Sequence, residues 1–147
     1  MEAPCPPDAL FEWVEDLSRY PHWLDIVSRA ELAATAPGED GPAWSVDLRG
    51  RLGPFARSKR LRMVRTAHAA PRGGRVGHVR FERRELDARE HSPWVLHAAV
   101  EPSGEGSRLA MHLHYGGRLW VPALDRLLTE AIERSQPRLL ALLATGQ

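Results

Sequence analysis

Residues 94–115 read WVLHAAVEPSGEGSRLAMHLHY, and this stretch decides the fold class. Trp94, Leu96, Ala98 and Val100 recur at every second position, as do Leu109, Met111, Leu113 and Tyr115. A period of two is the signature of a strand with one buried and one wet face. The break at Pro102–Ser107 joins the two rows as a hairpin. Upstream the same period returns three times. Trp44, Val46 and Leu48 make one row, Leu61 and Met63 a second, and Val79 and Phe81 a third. Breaks at Gly50–Pro54, Pro71–Gly74 and Asp87–Pro93 separate them, with Gly73-Gly74 as a hairpin turn. This spacing predicts an antiparallel meander.

Helical patterns lie on both sides of the meander. Pro7 suits the first position of a helix and Asp8 its positive end, and Leu10, Phe11, Val14 and Leu17 form an apolar face. Tyr20-Pro21 breaks that helix, and Trp23, Ile26 and Val27 suggest a second short one. Gly38–Pro42 is a turn cluster. Downstream, Leu124, Leu127, Leu128, Ala131 and Ile132 make one stripe, continued by Leu139, Leu140, Leu142 and Leu143. Pro137 sits inside that pattern and predicts a kink or an interruption. The expected class is α+β. Only the terminal helix is long enough to cover the apolar face of the sheet, and a strongly curved sheet gripping one helix tends to leave a cavity.

At 147 residues, 43% hydrophobic and 27% charged, the chain has the size and composition of a single globular domain. No apolar run reaches the roughly 18 residues of a membrane span. The first residues, MEAPCPPD, lack the basic and apolar regions of a signal peptide, so the expected location is cytoplasmic. The lone Cys5 can form neither an internal disulfide nor a zinc cluster by itself. Net charge is only +1, but residues 1–47 carry −8, residues 48–81 carry +10 and the remainder −1.

Residues 3–27, APCPPDALFEWVEDLSRYPHWLDIV, resemble the opening of the START-like (SRPBCC) superfamily, in its polyketide cyclase/dehydrase and lipid-transport branch. The matching features are the Pro-Asp helix start, Phe11, Val14, Asp16 and the break Tyr20-Pro21-x-Trp23, with Phe81-Glu82-Arg83 and Trp94 further on. The resemblance runs from about Ala3 to Leu143 and implies one START-like ligand-binding domain over residues 1–147. It implies a helix-grip fold, with a curved antiparallel sheet around a long C-terminal helix and two short helices near the N-terminus. It also implies a cavity for hydrophobic ligands. One feature departs from the family pattern. Members usually have a strand before the Ala-Pro, and here only Met1 and Glu2 precede it, so that strand is either missing or truncated.

Two functions are compatible with these residues. The first is binding or transport of a hydrophobic small molecule (a lipid, polyketide or isoprenoid), which needs apolar area and shape rather than a catalytic constellation. The sheet residues expected at such a ligand are Trp44, Val46, Leu61, Met63, Phe81, Trp94, Leu96, Met111 and Leu113; Trp120, Leu124 and Leu128 would close the far side. The aromatic members read equally as packed core. The second function is a polyketide aromatase/cyclase. Arg65, Arg83 and Tyr115 share the parity of inward-facing neighbours, so Arg65 and Arg83 would stabilise an oxyanion and Tyr115 would donate a proton. Alternatively these three pair with acids such as Glu85, or reach the rim.

No cofactor is expected. His112 and His114 share a strand face with His97 nearby, but all three alternate against apolar rows and should point outward, so no metal site is expected. No nucleotide-binding or hydrolase fingerprint is present. Seven cations and no acid lie between Arg49 and Arg65. They either dock an acidic carrier protein or an anionic membrane surface, or are neutralised internally by Glu12, Glu15 and Asp16. The block matches no nucleic-acid motif.

Overall fold

The computed structural model describes residues 1–52, 55–116 and 121–146, without the side chains of 51–52, 55–57, 121–125 and 127. The predicted meander is β3 (Ala43–Leu52), β4 (Phe55–Ala69), β5 (Gly77–Arg83), β6 (Trp94–Ser103) and β7 (Gly106–Tyr115). Two further strands, β1 (Glu2–Ala3) and β2 (Val27–Ala33), complete a sheet ordered β1-β7-β6-β5-β4-β3-β2, antiparallel throughout. The helices are α1 (Pro7–Phe11), a 3₁₀ helix (Leu17–His22) and α2 (Val121–Thr145).

Register follows the apolar rows. Leu96 stands opposite Leu113, Ala98 opposite Met111 and Val100 opposite Leu109, while Val46 faces Leu61 and Trp44 faces Met63. A register shift between Arg65 and Ala67 turns the far end of β4, so that His68, not Ala67, faces Val79. Gly73 and Gly74 both take positive φ, 57° and 79°, which L side chains rarely adopt, and Arg75 N–H donates to the Arg72 carbonyl at 3.0 Å.

Two details differ from the sequence reading, and a third decides between alternatives it left open. Trp23–Val27 is not a helix. The second helix lies earlier and contains Tyr20-Pro21 itself, because extended Asp16 ends the first turn and its carboxylate accepts the Ser18 N–H at 2.9 Å. Val27 then opens β2, whose approach is fixed by the Arg49 N–H donating to the Ile26 carbonyl at 2.8 Å. Secondly, α2 runs through Pro137 without interruption. Pro137 and Glu133 are both exposed, so the carbonyl that proline leaves unpaired lies on the water side. Thirdly, the first strand is present in truncated form, two residues that end at the Ala of the Ala-Pro and pair with β7. The Met1 ammonium donates to the Leu109 carbonyl at 2.9 Å, and the Leu109 N–H returns a bond to the Met1 carbonyl at 2.8 Å. Gly106 makes this docking possible, since a Cβ there would lie 2.2 Å from the Ala3 carbonyl oxygen.

The core gathers where the N-terminal helices meet β3–β5. Tyr20, Trp44 and Phe81 are almost wholly buried. Phe81 receives Trp44 at 5.5 Å and Tyr20 at 6.3 Å, both edge to face. On α2, Leu128, Ala131, Ser135, Leu139 and Leu143 form the buried stripe, and the Ser135 hydroxyl donates to the Ala131 carbonyl at 2.5 Å. Among the described residues no helix is long and apolar enough to cross a membrane.

Candidate functional site

Between the sheet and α2 lies a partly open cavity of about 90 Å³. Its sheet wall is Val46, Leu48, Leu61, Met63, Trp94, Leu96, Met111 and Leu113, and α2 adds Leu128 and Ile132. The remaining wall is Leu17, Tyr20, Trp23, Leu24, Ile26 and Val27, from the 3₁₀ helix and the entry to β2. Alternation on four strands supplies one apolar side chain per two residues to a single concave face. The cavity follows from that pattern.

Two of the three polar atoms on this wall are already used. The Tyr20 hydroxyl donates to the Val14 carbonyl at 2.9 Å, and burial, with Asp16 nearby, pushes its pKa far up. The Trp23 indole N–H donates to the Trp13 carbonyl at 3.3 Å. The Trp94 indole N–H is buried and has no partner among the described residues.

Of the residues expected at a ligand, Val46, Leu61, Met63, Trp94, Leu96, Met111, Leu113 and Leu128 line the cavity. Trp44 and Phe81 do not; they stack in the core behind it. Trp120 and the side chain of Leu124 lie outside the described residues. Sequence reasoning missed the whole wall from Leu17 to Val27, because a helical reading of that segment hid which side chains turn inward. Leu48 and Ile132 belong to rows the sequence displays, and extending those rows by one position finds them.

The three polar candidates do not line the cavity. Arg65 donates to the Glu15 carbonyl at 3.1 Å and so ties β4 to the N-terminal segment. Arg83, with its side chain 10% exposed, pairs with Glu85 at 2.9 Å and reaches the Ser92 carbonyl at 3.3 Å. Tyr115 stands opposite Trp94 with ring centres 5.5 Å apart, at the same end of the sheet as Arg83. His97 and His112 face each other on the outer side of the sheet, with His78 stacked on His97 at 5.3 Å. Among the described residues no group of three or more potential ligands is placed to hold a metal ion.

Two cations of the basic block pair with acids other than the expected ones. Arg60 grips Asp47 across β3–β4 with bonds of 2.7 and 3.1 Å. Arg62 makes a two-pronged pair with Glu39, both bonds 2.7 Å, and holds the Glu39 carboxyl at about 2, well below its ordinary 4.5. Glu12 pairs instead with Arg19 and Glu15 with His68, while Asp16 binds Ser18, so none of the three gives a carboxylate to the block. Arg49 is exposed, and the side chains of Arg51 and Arg57 lie outside the described residues.

An antiparallel sheet closed over one long helix, with an apolar hollow between them, defines a helix-grip protein. The chain belongs to the polyketide cyclase / dehydrase and lipid transport family, whose model matches residues 1–145. In fold it is similar to TTHA0849 of Thermus thermophilus, with a TM-score of 0.70 and 16% identity over 100% of this chain and 95% of that one. A STAR-related lipid transfer protein from Xanthomonas axonopodis gives 0.60 and 14%, covering 98% and 82%. Ara h 8.0201 gives 0.54 and 14%, covering 99% and 92%. No curated protein matches the sequence at a significant level.

Proposed function

We propose that this protein binds a compact hydrophobic small molecule between its sheet and α2. The observation that carries the reading is the wall itself. It is apolar throughout, and two of its three polar atoms are satisfied from within the protein. Removing apolar ligand surface from water is worth roughly 25 cal/mol per Å², and such a wall offers no competing chemistry. Membership of a family described by lipid transport, and a fold shared with a STAR-related lipid transfer protein, support the same reading. Ligand pockets usually span about 300–1,000 Å³. A hollow of about 90 Å³ therefore suits a small or slender ligand, and a full-sized lipid would require α2 to move outward.

The cyclase alternative needs at least two of Arg65, Arg83 and Tyr115 to converge inside one cavity, and none of them is among its lining residues. Arg65 is held at the N-terminal segment and Arg83 by Glu85, which argues against a shared oxyanion site. Native mass spectrometry of the purified protein, followed by titration with the neutral fluorophore N-phenyl-1-naphthylamine, tests the binding reading. A retained apolar molecule, or saturable fluorescence lost in Leu113→Phe, is expected. Absence of both overturns it.

A further inference from the structure

One end of the cavity differs chemically from the rest. Lys59 stands opposite Leu48 and shares the inward parity of Leu61 and Met63, so the strand delivers an ammonium to the concave face. Its Nζ lies 5.4 Å from the centre of the Trp94 ring. Leu48 and Trp94 are both wall residues, so Lys59 sits at the rim between them while remaining exposed to an incoming molecule. It makes no ion pair among the described residues. Glu85, whose charge acts on Lys59, is already bound to Arg83. Burial lowers the Lys59 pKa and the Arg83 guanidinium lowers it further, with Glu85 opposing them. The second donor is the Trp94 N–H, buried at 5% exposure and without a partner among the described residues, although buried polar groups ordinarily find one.

We propose that Lys59 and the Trp94 indole N–H form a headgroup subsite, and that the cavity's ligand is amphipathic, with an apolar body and one anionic oxygen group, a carboxylate or a phosphate. The subsite rests on the binding function proposed above. The apolar wall takes the body by shape, and the rim fixes which end faces out. Lys59 supplies the charge and Trp94 a donor that no described residue satisfies.

Isothermal titration of the full chain with octanoate, octyl phosphate and 1-octanol separates the two claims. Octanoate or octyl phosphate is expected to bind about fivefold tighter than 1-octanol, the upper end for a partly exposed charge pair. The tighter of the two anions identifies the headgroup. Lys59→Met keeps the apolar cover on Trp94 and should abolish the preference while leaving 1-octanol affinity intact; Lys59→Arg should retain it. Trp94→Phe keeps the ring and should weaken the anion with little change in melting temperature. Equal binding of all three by the native protein, or a preference that survives Lys59→Met, overturns the subsite and leaves the apolar reading standing. Failure of all three to bind, 1-octanol included, overturns both.

Discussion

Two aromatic clusters on the sheet use similar residues differently. Against the N-terminal helices, Phe81, Trp44 and Tyr20 interlock, the Tyr20 hydroxyl is committed to the Val14 carbonyl, and Arg65 ties the strand to Glu15. On β6 and β7, Trp94 and Tyr115 also pair, with Lys59 over the Trp94 ring and without an ion pair among the described residues. The indole N–H groups of Trp44 and Trp94 are both buried without a partner among the described residues, but of the two only Trp94 lines the cavity. Buried groups left unpaired cost free energy, so the hollow persists only where the close-packed cluster supplies the stability.

The comparison is broken most severely at Phe81. Phe81→Ala should cost about 3–5 kcal/mol by emptying the contact between Tyr20 and Trp44, while Leu113→Ala at the half-filled cavity costs distinctly less. Denaturant midpoints of the two variants decide it, and equal losses would mean that the close-packed cluster and the cavity wall are not different. Next comes Tyr20→Phe, which strands the buried Val14 carbonyl and should lose about 1–3 kcal/mol by the same measurement. At the cavity wall, Leu113→Phe fills space instead of removing it. Its melting temperature should hold or rise slightly while naphthylamine fluorescence falls.

The smallest effect sharpens the comparison through pH. The Glu39 carboxyl is lowered to about 2 by Arg62 and the Ala36 N–H. A depressed carboxyl contributes stability that is fully present above its unfolded value near 4.5 and is lost as pH falls through the folded value. Native protein should therefore lose its melting-temperature advantage over Glu39→Gln between about pH 4.5 and 2. A gap independent of pH would remove the charge pairing as its cause.

The meander and the terminal helix were legible because each strand repeats one rule. Apolar residues at every second position from Trp44 to Tyr115 must share a face, and only residues 121–145 have the length to cover it. The helical misreading of Trp23–Val27 has a local cause: Ile26 and Val27 suit a helix or a strand, and pairing with β3 chose the strand. Likewise the sequence offered Glu12, Glu15 and Asp16 as internal partners of the basic block, and spatial register gave Arg60 Asp47 and Arg62 Glu39 instead.

Fold class, the order of the main elements and most of the sheet wall were therefore settled by sequence alone, because period-two patterning is a property of each strand and needs no partner to be read. Which polar groups are paired and which remain available was decided only by tertiary structure. Arg65, Arg83 and Lys59 share the same inward parity on neighbouring strands. Their fates, bound to a carbonyl, bound to Glu85 and poised over Trp94, depend on what residues far apart in the chain bring within hydrogen-bond reach.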